Sequence, residues 1–405
     1  MTSSSGAISR VALAKECERL GVECLGTVEL VNNQGGLADW YAEHSLRLTQ
    51  WLNKGAHAEM EWMERQVDKR CDPRLLLPEV KSAVTLWISH HFSSKDLPQE
   101  IEAKVARYAW GRDYHNVLRR VLRQLGKWSK QKDPTVLFHG SVDTSPVLER
   151  AIAQRCGIGW IGRSTMLIHP KNGTFGSLAV FLTSAVFNDE ESAPHPDRCG
   201  TCHDCVQACP TNALGPEGLD ARKCISYWTI EHRGIIPKHI RPLIGDWVFG
   251  CDICQEVCPW TMKAERKQMP ASTELWQPSY ERARPNLITW LSTSDDDMIK
   301  ALQGSPLKRA FPHGLKRNAI IVLVNQKRTD TISIILDQFK HSHQAVRATA
   351  AWGVAELCTQ QENEVIKSQS RDAMERLLNF EESQVVITEL KDAIDRLSSA
   401  LLNQR

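Results

Sequence analysis

The chain has 405 residues, a formal net charge of +2 and 42% hydrophobic residues. Because this length exceeds what one ordinary hydrophobic core supports, two or three domains are expected. The near-neutral charge excludes a globally basic nucleic-acid coat, and the apolar content excludes an intrinsically disordered chain. No apolar run approaches the roughly 20 residues of a membrane span. The N-terminal segment also lacks the apolar core of a secretory signal. We therefore expect a cytoplasmic protein that does not enter a membrane.

The N-terminal part alternates helix-like and strand-like segments. Periodic apolar positions predict helices over Val11–Leu20, Leu37–Asn53 and Tyr114–Trp128. Short apolar runs predict strands over Ala83–Ser89 and Leu178–Val186. This order of elements predicts an α/β or α+β domain.

Asp143 stands between an apolar residue and the turn-forming segment 144–146, just before a predicted helix. An Asp in that position is most often a helix N-cap. The alternative is a catalytic acid, which needs surroundings that raise its pKa toward neutrality. The residues alone favour the N-cap.

Glycines 157, 159 and 162 have the G-x-G-x-x-G spacing of a dinucleotide-binding turn. Such a turn follows a strand, whereas residues 151–156 are typical of a helix end. We therefore interpret these glycines as points of close backbone approach rather than as a nicotinamide site.

The outlying feature of the composition is its 13 cysteines, of which eight lie between Cys199 and Cys258. The first four have the ferredoxin spacing C-x2-C-x2-C-x3-C-P, in which three thiolates hold one 4Fe–4S cluster and the fourth holds a second cluster. The last three, from Cys251 to Cys258, lack one ligand of a second such motif, and Cys224 is the obvious replacement.

We therefore predict two 4Fe–4S clusters. The first is assigned to Cys199, Cys202, Cys205 and Cys258. The second is assigned to Cys209, Cys224, Cys251 and Cys254. The alternative is a pair of structural zinc sites, which fits C-x2-C pairs but does not explain the longer first run. The remaining five cysteines show no ligand spacing and are predicted to be small buried hydrophobes: Cys17, Cys24, Cys71, Cys156 and Cys358.

Downstream of the cysteines the pattern becomes helical, and residues 343–357 resemble one helix of a HEAT-type repeat. The sequence thus predicts an α+β multidomain protein. Its parts are an N-terminal α/β domain over 1–190, a two-cluster ferredoxin-like domain over 191–265, and C-terminal α-helical HEAT-like repeats over 266–405.

A basic region lies within the predicted helical part. Residues 305–347 hold eight Lys or Arg and two Asp, a local net charge of +6. Clustered charge of this sign attracts phosphates, although a solvated helix face is the simpler interpretation. The candidate phosphate contacts are Lys308, Arg309, Lys316 and Arg317.

Taken together, these segments resemble the epoxyqueuosine reductases, which act in queuosine modification of tRNA. The segments that carry the resemblance are KRCDPRLLLP (69–78), ARYAWGRDYHNVLRR (106–120), VDTSPVLER (142–150), GIGWIGRSTMLI (157–168), CGTCHDCVQACPTNAL (199–214), LDARKCISYWTIE (219–231) and FGCDICQEVCPW (249–260). The isolated Cys224 matches that family's additional cluster ligand.

The resemblance implies a cobalamin cofactor and a set of roles by position. Asp143 corresponds to the proton donor. The cobalamin contacts correspond to Arg70, Asp143, Leu167, Leu178, Ser226, Asp252 and Ile253. Arg233 corresponds to a tRNA contact. Tyr227, Trp228 and Trp260 are candidates for stacking with bases of the anticodon loop, or are core residues.

The activity implied is reduction of epoxyqueuosine to queuosine at the tRNA wobble position. Electrons from an external low-potential donor would pass singly through the clusters to cobalamin. The implied protein is a monomer that holds an anticodon stem-loop. Two alternatives remain: a cobalamin-dependent enzyme like the reductive dehalogenases, and an eight-iron electron carrier fused to a helical interaction module.

Overall fold

The structure, a computed structural model, describes residues 8–22, 24–32, 34–92, 103–187, 193–267 and 273–402. The strands within these ranges are β1 (Cys24–Glu29), β2 (Ser82–Ser89), β3 (Lys104–Val105), β4 (Phe138–Ser141), β5 (Trp160–Ile161), β6 (Leu167–Ile168), β7 (Gly176–Thr183), β8 (Leu214–Gly215), β9 (Gly218–Leu219) and β10 (Trp247–Phe249).

The α-helices are α1 (Arg10–Arg19), α2 (Asp39–Asn53), α3 (Val67–Cys71), α4 (Tyr114–Lys132), α5 (Glu149–Arg155), α6 (Asp204–Gln207), α7 (Ile253–Glu256), α8 (Pro259–Arg266), α9 (Thr273–Trp276), α10 (Tyr280–Ala283), α11 (Leu287–Ser292), α12 (Asp295–Ala301), α13 (Phe311–Asn325), α14 (Ile332–Asp337), α15 (Gln344–Thr359), α16 (Glu364–Leu378) and α17 (Gln384–Leu402). One π-helical segment covers Tyr227–Glu231.

The chain forms two compact units, each assembled from separate parts of the sequence. The first unit comprises residues 1–96, 111–222 and 252–278, and the second comprises 97–110, 223–251 and 279–405. The three consecutive domains anticipated from the sequence are a different division of the chain. Their first boundary, at 190, lies outside the described residues, and the three-part division stays a prediction.

The first unit is built around a four-stranded sheet in the order β1-β2-β7-β4. All three pairings are antiparallel, with Val84 opposite Phe181 in the central pair. Antiparallel strands do not require crossover helices, so this unit is α+β rather than a doubly wound α/β domain. The helices and strands expected in this part of the sequence are present as α1, α2, α4, β2 and β7, with ends shifted by a few residues.

The core of the first unit lies on both faces of the central strands. Every residue of β2 is buried, as expected for an apolar run with no alternation. One face packs against α5 and α2 through Trp87, Ile152 and Tyr41. Close approach needs glycine at Gly176, where a Cβ would lie 2.1 Å from the Trp87 ring.

The lengths of β4 and β7 shape the edge of this sheet. Strand β4 ends at Ser141, opposite Val180. The earlier half of β7, Gly176–Ala179, continues past that end and pairs only with β2 within the described part of the chain. The chain that leaves β4 after Ser141 carries Asp143, two residues beyond the end of this pairing.

The second unit is mainly helical. Helices α13 and α15 pack against each other and are buried over most of their length, and α15 also packs on α17. Strand β10 pairs in parallel with β3 and packs on α13. The helix expected over 343–357 is confirmed as α15, whereas the HEAT-like character of the region stays a prediction. Within the described ranges, no helix combines the length and the apolar character needed to cross a membrane.

Candidate active site and cluster-binding segment

Five cysteines line one cavity of about 140 Å³ in the first unit. They are Cys199, Cys202, Cys205, Cys254 and Cys258. The fourth predicted ligand of the first cluster, Cys258, is therefore close to the three from the first run although more than fifty residues separate them. Cys254, which we assigned to the second cluster, lines the same cavity.

Local backbone geometry explains how these thiols come together. Cys199 and Cys202 belong to one turn, in which the Cys202 N–H donates to the Cys199 carbonyl at 2.9 Å. Cys258 precedes α8, whose first residue is Pro259, so the helix begins immediately after the thiol. Near the cysteine turn, a Cβ at Gly162 would lie close to Ile168 Cδ1 and 3.3 Å from Cys199 Sγ. Glycine at 162 therefore leaves space for the Ile168 side chain and the Cys199 thiol, whereas the expected close approach to backbone is found at Gly159, which faces the Ile168 carbonyl.

The cavity disfavours four bare thiolates. Burial raises the pKa of the Cys205 and Cys258 thiols, and repulsion from Cys199 raises both further. A cationic iron–sulfur core would remove this cost by bonding each thiolate. Among the described residues, no group of three or more His, Cys, Asp or Glu is arranged to hold a single metal ion.

An arginine on the cavity wall also fits a charged cluster. Arg163 Nη2 donates to the Gly200 carbonyl at 2.8 Å. Its Nη1 is buried and, within the described part of the chain, has no acceptor. Arg198 lines the same cavity. An arginine donor without an acceptor, on the wall of a cavity lined by thiols, suits a net negative cluster, whose sulfurs accept hydrogen bonds.

The other predicted ligands are divided between the two units. Cys209 is in the first unit, where its Sγ accepts from the Ala213 N–H at 3.3 Å. Cys224 and Cys251 are in the second unit, and the Cys224 carbonyl accepts from Trp228. The ligand set of the second cluster therefore rests on the spacing of the sequence.

The cysteines without ligand spacing occupy ordinary packing positions. Cys17, Cys156 and Cys358 are buried, and Cys71 is half-buried. Burial raises the pKa of Cys17 to about 12, so its thiol stays protonated. The side chain of Cys24 lies outside what the structure describes.

Asp143 lies on the short loop between β4 and α5. Its backbone φ is +52°, a left-handed conformation that is uncommon for a residue other than glycine. The N-cap interpretation is wrong, because α5 begins at Glu149 and Leu148 occupies the N-cap position. The loop continues for five residues after Asp143 before the helix begins. The turn-forming residues after Asp143 did not indicate a loop of this length.

The Asp143 carboxylate is exposed but held. Its side chain is 59% exposed, and its Oδ2 accepts from the Tyr114 hydroxyl at 2.7 Å. Tyr114 is the first residue of α4, and its ring stacks on that of His115 at a centroid distance of 4.0 Å. His115 Nε2 lies 3.9 Å from Asp143 Oδ2. These contacts hold the carboxylate in a fixed position that is open to solvent, which differs from the desolvated surroundings that the sequence argument required of a catalytic acid.

The loop is fixed from its other side by Glu149. Its Oε1 accepts from the Asp143 N–H at 2.8 Å and from the Ser141 hydroxyl at 2.6 Å. Desolvation and the nearby Asp143 carboxylate raise the pKa of Glu149 to about 7. Two carboxyl groups therefore share this site.

Arg70, at the C-terminal part of α3, belongs to the same electrostatic group. Burial lowers the pKa of its guanidinium, while the carboxylates of Asp143 and Glu149 act in the opposite direction. Its Nε is buried and has no acceptor among the described residues. The structure thus brings together two of the residues predicted to contact cobalamin, Arg70 and Asp143.

Two more of the predicted cobalamin contacts would use their backbone rather than their side chains. Leu167 is buried in β6 and its side chain packs in the core. Leu178 lies on the part of β7 that extends past β4. An amide-rich ligand such as a corrin can bond to an open strand edge. Together with the buried Nε of Arg70, this edge makes the first unit chemically suited to cobalamin.

The remaining predicted contacts are less informative. Asp252 is buried in the first unit, and its Oδ1 accepts from Gln255 Nε2 at 2.8 Å. Ile253, the first residue of α7, is half-buried. Ser226 is half-buried in the second unit, just before the π-helical segment.

The structure corrects part of the predicted basic surface. Lys316 and Arg317 are only 4% and 1% exposed. Lys316 Nζ pairs with Asp295 at 2.9 Å, and Arg317 donates to the carbonyls of Trp228, His232 and Gly234. The expectation that these two side chains face solvent and bind phosphate is wrong, because α13 is buried on both sides of the helix at these positions.

The other basic candidates are accessible to different degrees. Lys308 and Arg309 are exposed, and Arg309 pairs with Glu231 at 2.7 Å. The Arg233 guanidinium is half-buried and lies 4.7 Å from the centre of the Phe311 ring.

The three candidate stacking residues differ in burial and in the rings they contact. Tyr227 is buried, and Trp228 is half-buried and contacts the ring of His232. Trp260 lines the cysteine cavity and packs edge-on against Trp160.

Family models and known proteins agree with this site. A family model described as 4Fe-4S double cluster binding domain matches residues 198–261. A second, described as epoxyqueuosine reductase QueG, DUF1730, matches residues 70–144. The chain is 38% identical to the epoxyqueuosine reductase of Cellulophaga algicola over 288 residues, which are 69% of this chain and 90% of that protein.

The chain belongs to the epoxyqueuosine reductase family. The Escherichia coli epoxyqueuosine reductase is 32% identical over 348 residues, covering 84% of this chain and 90% of that enzyme. The match to the double cluster model decides against zinc and for two 4Fe–4S clusters. As a member of this family the chain is an oxidoreductase.

Solved structures extend the match over both units. A crystal structure of epoxyqueuosine reductase with an epoxyqueuosine-modified tRNA-Tyr stem-loop has a TM-score of 0.84 and 28% identity, covering 96% of this chain and 98% of that one. An epoxyqueuosine reductase from Bacillus subtilis, whose catalytic Asp loop is swung out of the active site, has a TM-score of 0.83 and 26% identity over the same shares.

Sequence reasoning missed three residues of the site. Tyr114, Glu149 and Arg163 each lie in a segment that carried the family resemblance, but we gave them no role. Tyr114 and Glu149 are the first residues of helices that flank the Asp143 loop. Glu149, a charged residue shortly after the candidate acid, offered a signal in the sequence, whereas Tyr114 and Arg163 offered none.

Proposed function

We propose that the protein reduces epoxyqueuosine to queuosine in tRNA, with Asp143 as the proton donor. Converting an epoxide to an alkene and water consumes two electrons and two protons. An acid is needed because an alkoxide is a poor leaving group. The observation that carries the proposal is the exposed Asp143 carboxylate, which accepts a hydrogen bond from the Tyr114 hydroxyl at 2.7 Å. Asp143 itself has a left-handed backbone conformation, and the chain belongs to the epoxyqueuosine reductase family.

The protein's own groups would prepare the proton transfer. Asp143 would bring one proton to the epoxide oxygen as its C–O bond breaks, and solvent would supply the second proton that completes the water molecule. Tyr114 would orient the Asp143 carboxyl through its hydroxyl, and Arg70 would add positive charge on the same side of the site. The catalytic Asp loop that is swung out in the Bacillus subtilis relative supports a loop that can move.

Cobalamin and the 4Fe–4S clusters would have different parts in the redox chemistry. When bound, cobalamin would supply a low-valent cobalt centre able to reduce the epoxide. Its contacts would come from Arg70, the Leu178 edge of β7 and the backbone at Leu167, with Ser226, Asp252 and Ile253 as further predicted contacts. The clusters would deliver single electrons from an external donor. Their proposed ligands are the two sets of four cysteines assigned by spacing.

The substrate requires a surface for an anticodon stem-loop. The relative crystallised with a tRNA stem-loop supports this partner. The exposed Lys308 and Arg309 and the half-buried Arg233 are the proposed contacts. Cytoplasmic location and a monomeric state stay predictions.

The test is anaerobic turnover of epoxyqueuosine-containing tRNA with a chemical reductant, in the presence and absence of added cobalamin. We expect conversion to queuosine that depends on cobalamin. Conversion at an equal rate by protein free of cobalamin would contradict the cofactor assignment. Reduced clusters with no conversion under any condition would favour an electron carrier instead.

A further inference from the structure

We propose that Glu149 is a positioning residue that latches the Asp143 loop in its catalytic conformation. The inference rests on the proposed role of Asp143 as proton donor. It adds a residue that acts through Asp143 rather than on the substrate.

The latch is a single carboxylate that ties two elements together. Ser141 ends β4 and Glu149 begins α5. Glu149 Oε1 accepts from the hydroxyl of Ser141 at 2.6 Å and from the main-chain N–H of Asp143 at 2.8 Å. The start of the loop is therefore bound to the helix that follows it. Bonds to a charged acceptor are among the stronger hydrogen bonds in proteins.

The conformation that the latch holds is one that the chain would otherwise leave. Asp143 has φ of +52°, which favours glycine. Such a conformation persists in an Asp only when surrounding contacts fix it. Tyr114 fixes the carboxylate of Asp143, and Glu149 fixes its main chain. Elsewhere on the loop, Arg119 donates to Thr144 at 3.1 Å, a contact that does not reach Asp143 itself.

The charges around Glu149 make the latch sensitive to its protonation. The groups that face its carboxyl are the Asp143 carboxylate and the Arg70 guanidinium, with Arg150 beside it on α5. Its pKa is raised to about 7. The ionised, strong acceptor is thus present above pH 7 and gives way to a neutral carboxyl below it.

The test compares two substitutions in the holoenzyme. Glu149→Ala removes the acceptor, and Glu149→Gln keeps an amide oxygen that can accept the same N–H. For Glu149→Ala we expect kcat to fall by about tenfold or more, because misplaced catalytic groups react slowly, with KM for tRNA nearly unchanged. Glu149→Gln keeps a neutral acceptor like that of protonated Glu149, so its kcat should match that of the wild type below pH 7 and should lack the rise that the wild type shows above pH 7. Glu364, the exposed first residue of α16, provides the matched control Glu364→Ala, with kcat unchanged.

A double substitution separates this inference from the proposed function. If Glu149 acts through Asp143, adding Glu149→Ala to Asp143→Ala lowers turnover no further. Wild-type kcat in Glu149→Ala, with Asp143→Ala inactive, would overturn the latch alone. Wild-type kcat in Asp143→Ala would overturn the proposed function itself. If Glu149→Ala loses its cluster absorbance or does not fold, the pH profile of Glu149→Gln decides, and a profile identical to that of the wild type would reject the latch.

Discussion

Two arginines show how differently the two units use a guanidinium group. Arg163, on the cysteine cavity, makes one hydrogen bond to main chain and keeps a buried Nη1 with no acceptor among the described residues. Arg317, in α13, gives its donors to three carbonyls and to the neighbouring Asn318. A buried guanidinium donor without an acceptor is available to a ligand, whereas donors that are satisfied by the chain stabilise the fold.

This comparison separates the expected effects of substitutions. Changes around the cysteine cavity should alter cofactor content or potential while the polypeptide remains folded. Changes in α13 should alter folding and leave the chemistry of the remaining folded molecules intact.

Cys258→Ser should remove one of the two clusters. Since each cluster holds four irons, the iron content should fall from about eight to about four per chain. Anaerobic reconstitution followed by iron and sulfide analysis measures this. Cys71→Ser, at a half-buried cysteine with no ligand spacing, serves as the control and should keep the full iron content. Unchanged iron in Cys258→Ser would remove this residue from the ligand set.

Arg317→Met should destabilise the second unit strongly. It leaves the carbonyls of Trp228, His232 and Gly234 buried without their donor, and each lost partner is costly. We expect the free energy of unfolding to fall by about 3 kcal/mol or more. Urea unfolding of the protein measures this, and Arg309→Met, at an exposed ion pair, should cost less than about 1 kcal/mol. Equal effects of both substitutions would contradict the structural role of Arg317.

Arg163→Met should lower the reduction potential of the cluster in the cavity. The substitution removes a positive charge and an N–H donor, both of which favour the more negative reduced state. A redox titration followed by electron paramagnetic resonance reports the shift without requiring turnover. Arg65→Met, at an exposed arginine paired with Glu61, should leave both potentials unchanged. A potential that stays the same or rises in Arg163→Met would show that its Nη1 does not face the cluster.

Lys308→Ala should have the smallest effect, a modest loss of affinity for the anticodon stem-loop. Losing one phosphate contact should reduce the slope of log K against log salt by about 1. Binding titrations at several salt concentrations measure this slope. Lys15→Ala, at an exposed lysine on α1, is the charge-matched control. An identical slope for both variants would take Lys308 off the tRNA surface.

The cysteine cavity and helix α13 also differ in how much of their structure the sequence could predict. Cysteine spacing predicted that Cys258 joins Cys199, Cys202 and Cys205, and these four line one cavity together with Cys254, which the spacing assigned to the second cluster. A count of charges could not predict that Lys316 and Arg317 are buried. Charge says nothing about which side of a helix is covered, and α13 is covered on nearly all sides.

The Asp143 loop lies between these two cases. Its place before a helix suggested an N-cap, and the resemblance suggested an acid. Neither line of reasoning gave the left-handed backbone or the contacts to Tyr114 and Glu149, which depend on how α4 and α5 approach the end of β4. Local sequence patterns predict helices and strands well. The contacts between helices and strands depend on how they pack, which local patterns do not indicate.

The most direct test of the central claim is single-turnover conversion of epoxyqueuosine tRNA by the Asp143→Ala holoenzyme. Nucleosides from the digested tRNA are identified by mass spectrometry, and cluster and cobalamin content are measured in the same sample. Since general acids contribute about 10²- to 10⁴-fold to rates, we predict a loss of that order with both cofactors retained. Conversion at the wild-type rate would contradict the role of Asp143.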